Sequence, residues 1–186
     1  MMFGQHHPRT LHLYYRDGHH QLEVCDEDKH TVLYRVYRTS SKPHLTVRRV
    51  AGPKNNEEMV GQVSFHHFKS DIDLNVPGHH ALCMKKAGLL SSNFEVRGDG
   101  IEWEWRRDGA LTSNLKLKAA DGSCLAKFDN ASWSRSKQGT LEVMGVPPTG
   151  MLDAVVITGL AKIELQRRAN SSRSGAGINA ATAGSQ

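Results

Sequence analysis

A mainly β fold is predicted: a closed antiparallel barrel of about twelve strands around a central hydrophobic α-helix near the C-terminus. Three observations carry this expectation. Between Thr10 and Met144 the chain is a succession of short β-prone runs separated by turn residues. Gly150 to Arg168, GMLDAVVITGLAKIELQRR, is the one long segment whose apolar residues fit neither an alternating strand nor a one-faced helix. Finally, twelve antiparallel strands leave exposed edges unless the sheet closes. A closed barrel of twelve is wider than the roughly eight strands whose own side chains fill the interior. The helix is the expected filling.

The strands follow from turn chemistry and alternation. Leu11 to Arg16 and Gln21 to Cys25 flank Asp17-Gly18, a hairpin signal of the I′ type. After Asp26-Glu27-Asp28 comes Thr31 to Arg38, in which Val32, Tyr34 and Val36 point one way and Leu33, Arg35 and Tyr37 the other. Ser40 to Pro43 leads into His44 to Val50, and a loop from Gly52 to Glu58 into Met59 to His66. Asp71 to Asn75 turns through Val76-Pro77-Gly78 into His79 to Met84, and Lys85 to Ser92 is read as a connection. Asn93 to Arg97 and Ile101 to Arg106 flank Gly98-Asp99-Gly100. Thr112 to Lys118, Ser123 to Phe128 and, past a polar loop holding Trp133, Gly139 to Met144 complete the set before Val146-Pro147-Pro148.

The last element carries the architecture. At about 100° per residue, Met151, Leu152, Ala154, Val155, Val156 and Ile157 already surround the axis, and a helix apolar on every side is a buried one. About 18 residues span roughly 27 Å, enough to cross a small domain. A membrane span asks for about 20 apolar residues, whereas Asp153 and Thr158 interrupt this run and Lys162 and Glu164 follow it. A strand is the other alternative, because Val155 to Thr158 is β-branched and Gly159 disfavours a helix. The length and the Leu, Ala, Lys, Glu, Gln and Arg content of the second half speak against it, as do Asp153 in the first turn and Arg167-Arg168 in the last. The helix is placed at 151–167, and the two arginines are expected to emerge at a barrel mouth. The barrel domain then spans 10–168, with 1–9 flexible and 169–186, nearly all Ala, Ser, Gly, Asn and Thr, disordered.

Composition narrows the function classes. The chain has 186 residues, 38% of them hydrophobic and 23% charged, ordinary for one globular domain. Its net charge of +5 is uneven: Lys162, Arg167, Arg168 and Arg173 against Glu164 place three of those charges beyond residue 161. The nearly neutral body has no clustered Lys and Arg with interleaved aromatics, so no nucleic-acid partner is expected. Cys25, Cys83 and Cys124 are odd in number and far apart, which points to thiols in a reducing compartment. The opening MMFGQHHPRT lacks the parts of a secretory signal, so a cytoplasmic location is expected.

Catalytic and metal chemistry finds little support. Of eleven histidines, eight lie in the pairs His6-His7, His19-His20, His66-His67 and His79-His80. A zinc site would have to assemble His20, His67 and His80 with Asp71 or Asp73. Neighbours on a strand point to opposite faces, so exposed strand ends are the simpler reading. Asp71 and Asp73 share one face but have no identifiable partner for acid–base work. The cysteines carry no nucleophile signature, and the Asp-Gly pairs are turns rather than phosphate loops. The basic steps Arg48-Arg49, Lys85-Lys86 and Arg106-Arg107 are the candidates for meeting an anionic surface. Each such residue is worth about 1 kcal/mol at a membrane, so several must converge.

The C-terminal half has a recognisable cadence: Ile101-Glu102-Trp103-Glu104-Trp105, an Ala-Lys-Phe strand within Leu125 to Phe128, Leu-Glu-Val at 141–143, then Leu152-Asp153 opening a Val-Val-Ile-Thr helix that ends in Arg167-Arg168. Over about residues 93–168 this resembles the tubby-like superfamily of tubby C-terminal domains, plant LURP-one-related proteins and phospholipid scramblases, and most of all an uncharacterised fungal branch. The resemblance implies the barrel with a central helix. The phosphoinositide-binding lysine and arginine of tubby fall on no matching motif here and are not carried over. With the basic pairs, what it implies for function is a non-enzymatic module that binds acidic membrane phospholipid, peripherally at a membrane; no cofactor and a monomeric state are expected. Arg48, Arg49, Lys85, Lys86, Arg106 and Arg107 are its candidate contacts. A protein-interaction or stress-response scaffold is the alternative expectation, and a metal-dependent enzyme the third.

Overall fold

The computed structural model describes residues 7–52, 54–66, 71–79, 82–109, 112–131, 134–145 and 149–181, the side chains of 149 and 173–181 excepted. Twelve strands and one helix follow one another: β1 (Arg9–Arg16), β2 (Gln21–Cys25), β3 (Val32–Arg38), β4 (Leu45–Ala51), β5 (Asn56–Phe65), β6 (Ile72–Asn75), β7 (Cys83–Lys86), β8 (Phe94–Gly98), β9 (Ile101–Arg107), β10 (Leu115–Ala119), β11 (Cys124–Asn130), β12 (Lys137–Val143) and α1 (Thr149–Ala181). Every strand pairs antiparallel with its neighbours in sequence, and β1 closes the ring on β12 with Leu11 opposite Leu141. The expected closed barrel of twelve strands is the fold.

Alternation places one face of each strand inward. Leu11 and Leu13, Leu22 and Val24, Tyr34 and Val36, Leu45 and Val47, and Leu115 and Leu117 are all buried, whereas Leu33, Arg35 and Tyr37 are only partly so. These inward residues meet the helix. From Leu152 to Glu164 every residue of α1 is buried, the pattern of a helix surrounded on all sides. Two glycines set how closely wall and helix approach. A Cβ on Gly61 in β5 would sit 2.5 Å from Ile157 Cδ1, and one on Gly159 would sit 3.2 Å from the Trp105 ring. Gly159, unfavourable for the helix by propensity, is therefore the site where the indole fits. No helix among the described residues is long and apolar enough to cross a membrane.

Several boundaries differ from expectation. Helix α1 runs past the expected end at 167, to Ala181. Helical hydrogen bonds are local and need no core. The hydroxyls of Ser171 and Ser172 also donate to the carbonyls of Arg167 and Arg168 at 3.0 Å. Loss of apolar side chains ends burial there, not the helix. Residues 182–186 lie outside the described residues, as do 1–6, Trp133 and Val146 to Pro148. Arg9, expected in a flexible terminus, belongs to β1 and pairs with Asp26 at 2.6 Å. Asp17 and Gly18 do adopt positive φ, but the turn has four residues, His19 also lies at φ 74°, and Arg16 pairs with Gln21. Strand β5 starts at Asn56, inside the expected loop. His79 forms only an isolated bridge to Val76, and Lys85-Lys86, read as connection, end β7.

The meander sorts the loops between two mouths. Among the described residues, the C-terminal ends of β1, β3, β5, β7, β9 and β11 lie toward the point where α1 leaves, and those of the other strands toward its start.

Candidate anion-binding mouth

Where the helix enters, charges are consumed in pairs. Asp153, 5% exposed, accepts a hydrogen bond from the Tyr34 hydroxyl at 2.8 Å and is paired with the Arg49 guanidinium. Burial, with the Asp153 charge next, pushes the Tyr34 hydroxyl well above the usual tyrosine range. Arg48 points outward over the Tyr37 ring, 5.8 Å from its centroid, and pairs with Glu57 at 3.7 Å. Arg48 and Arg49, expected at an anionic surface, are thus neutralised, and Arg49 is a structural group. The sequence offered no sign of this because the partner of Arg49 lies 104 residues away.

The exit mouth is different. Glu164, 1% exposed, accepts from Arg167 Nε and Nη2, both at 2.8 Å, and from Arg168 Nε at 3.0 Å. Arg38 Nε lies 3.3 Å from its Oε2 yet is buried without a hydrogen-bond partner, while Arg38 Nη1 donates to the His19 carbonyl at 3.2 Å. Burial works to raise the Glu164 carboxyl, but the hydrogen bonds from Arg167 and the charges of Arg38 and Arg167 hold it below the ordinary range. Burial draws the Arg38 guanidinium downward. Three guanidinium groups therefore share one carboxylate. Beside them opens a cleft of about 810 Å³ whose wall includes Tyr15, His19, His20, Thr39 and Ser40. The Arg38 guanidinium stacks 5.2 Å from the Tyr15 ring and that of Arg168 4.7 Å from Phe65.

Across the same mouth Lys162 is 4% exposed, its Nζ donating to the Ser92 carbonyl at 2.7 Å and lying 4.3 Å from the Phe94 ring centroid. Burial first, then the charges of Arg107 and Lys86, lower its pKa to about 8. Lys86 and Arg107 are the last residues of β7 and β9; Lys86 lines a cleft with Phe94 and Leu165, and Arg107 lines a second cleft of about 750 Å³ with Arg167. Lys85 and Arg106 do not join them. Lys85 is exposed on the outer face opposite Glu95, and Arg106 pairs with Glu104 on the outside of β9. Two of the six sequence candidates come together, and Arg38, Lys162, Arg167 and Arg168 complete the group. Lys162 carried one legible signal, a lysine inside an all-apolar helix face.

The remaining candidates scatter. His20 lines the 810 Å³ cleft, Asp73 meets His66 at 2.8 Å, and Asp71 lies in a separate cleft with Lys86. His67 and His80 lie outside the described residues. Among the described residues no three His, Cys, Asp or Glu side chains gather as a metal site. All three cysteines are free, and only Cys25 is buried.

No protein-family model matches the chain, and no curated protein matches it significantly. A solved X-ray structure of a protein from Arabidopsis thaliana is similar, with a TM-score of 0.53 and 12% identity over 85% of this chain and 90% of that one. At such identity the likeness speaks for the fold alone. A closed twelve-stranded barrel with one C-terminal helix fits a tubby-like fold.

Proposed function

We propose that this chain is a non-enzymatic member of the tubby-like superfamily that holds the anionic headgroup of an acidic membrane phospholipid, such as a phosphoinositide, at its helix-exit mouth. It would act inside the cell, peripherally at a membrane. The observation behind this reading is the excess of cation at that mouth: Arg38, Arg167 and Arg168 around the single Glu164, beside an open cleft. Planar guanidinium forks match phosphate oxygens, and a desolvated cation gains from an incoming anion. Lys86, Arg107 and Lys162 extend the same field, whereas Asp153 neutralises Arg49 at the opposite mouth.

Liposome sedimentation tests this. The protein is expected to sediment with phosphoinositide vesicles but not with phosphatidylcholine alone, to release in salt, and to lose most binding in Lys86→Glu/Arg107→Glu. Binding indifferent to both headgroup and mutation would remove the reading.

A further inference from the structure

The loop between β7 and β8, residues 87–93, carries two leucines with no cover. Leu89 is 94% exposed and Leu90 102%, whereas the other exposed large apolar side chains among the described residues, Met59 and Met151, stand at 39% and 40%. The loop is shaped rather than slack. Lys86 Nζ donates to the Leu89 carbonyl at 2.7 Å, Ser91 N to the Gly88 carbonyl at 3.1 Å, and Ala87 N to the Asn93 carbonyl at 3.0 Å. Asn93 N donates to Ser91 Oγ at 3.0 Å. Its base is tied by Lys162, whose Nζ donates to the Ser92 carbonyl.

We infer that this loop is a membrane wedge: Leu89 and Leu90 enter the acyl region of an acidic bilayer while Lys85 and Lys86 stay at the level of the phosphates. This rests on the headgroup reading above and adds the element that inserts. Two features on the loop fit a bilayer. Backbone groups entering hydrocarbon must be satisfied internally, as the Leu89 carbonyl is by Lys86 at the end of β7. No acidic residue interrupts Cys83 to Phe94, and the acids beside it, Glu95 opposite Lys85 and Glu104 bonded to Asn93, are paired with Arg97 and Arg106, so the balance of charge at the wedge is positive, complementary to acidic lipid. Lys86 and Lys162 stand at its base, bonded to the Leu89 and Ser92 carbonyls, and the one carboxylate of Asp71, in the cleft beside Lys86, does not cancel them. Because α1 continues out of the same mouth to Ala181, the approach is oblique, with the β7–β8 rim toward the lipid.

The experiment uses the full chain with phosphatidylcholine vesicles, with and without phosphatidylserine, and the variant Leu89→Ser/Leu90→Ser. The serine variant is expected to keep the parent's melting curve and to bind phosphatidylserine vesicles at least about tenfold more weakly, since each leucine withdraws its apolar area from water on insertion. A Leu90→Trp variant should show fluorescence quenched by acyl-brominated lipid beyond the parent's. Equal binding by the serine variant with no added quenching would overturn the wedge and leave headgroup binding standing. A parent that ignores acidic vesicles would overturn headgroup binding first, and the wedge with it. If light scattering showed a dimer that the serine variant loses, with vesicle binding unchanged, the leucines would belong to a contact between copies and the wedge would again be overturned.

Discussion

Trp105 Nε1 donates a hydrogen bond of 3.0 Å to Thr158 Oγ1, joining the middle of β9 to the middle of the threaded helix. The hydroxyl in turn donates to the Ala154 carbonyl at 2.8 Å. Both side chains are fully buried. The bond positions the indole over Gly159 and satisfies a polar group that no water reaches. Thr158→Val keeps the shape and removes the acceptor, so it is expected to destabilise by about 1–3 kcal/mol, the penalty of a buried donor left unpaired. Urea unfolding checks it, and an unchanged midpoint would mean that the bond contributes nothing.

Gly61 faces Ile157 so closely that a methyl group has no room. Gly61→Ala is expected to destabilise by about 1–3 kcal/mol through overpacking. Ile157→Val, which removes the atom in the way, should recover part of that loss, so the double mutant should be more stable than the sum of the single changes allows. Simple additivity in a thermodynamic cycle would contradict this contact.

Lys162 gives the chain an alkaline signature. Its folded pKa, about 8, lies below the 10.5 of a free lysine side chain. The unfolded state therefore binds the proton more tightly between these values, so this group's penalty is complete below pH 8 and fades as pH rises toward 10.5. Relative to Lys162→Met, the parent should gain stability over that window. Parallel stability profiles for the two proteins would contradict the burial of a charged amine.

Glu164 works in the opposite pH range. Its carboxyl is held below the ordinary 4.5, so its contribution is present above the unfolded pKa and is lost as pH falls through the folded one. Glu164→Gln should flatten part of the acid limb of the stability curve and, by leaving Arg38 buried without a counter-charge, lower stability at neutral pH. Acid titration of both proteins by circular dichroism reads the two effects together.

Truncation separates the buried helix from its extension. Ending the chain after Asn170 is expected to shift the melting temperature by a degree or two at most, since changes outside buried structure usually cost less than about 0.5 kcal/mol. Ending it after Gly150 removes everything from Leu152 to Glu164, all of it buried, and should abolish cooperative melting. A soluble, cooperatively melting 1–150 fragment would refute the organising role of α1.

The barrel and its threaded helix were legible in the sequence because both rest on local rules. Period-two alternation reports which side of Val32 to Arg38 is buried, Asp-Gly pairs report turns, and apolar residues all around Leu152 to Ile157 report a helix without a solvent face. The twelve-strand closure followed from counting. What tertiary structure alone decided was the fate of charges. Arg49 and Arg107 look alike in the sequence, yet one pairs with Asp153 at the helix entrance and the other lines the cleft beside Arg167 at the exit. The partners lie on elements far apart in sequence, and no local periodicity encodes which strand end faces which turn of the helix. Arg38 and Glu164 are the same case, as are the two leucines of the β7–β8 loop: apolar by composition, they are left uncovered because the turn between two paired strands projects them past the rim.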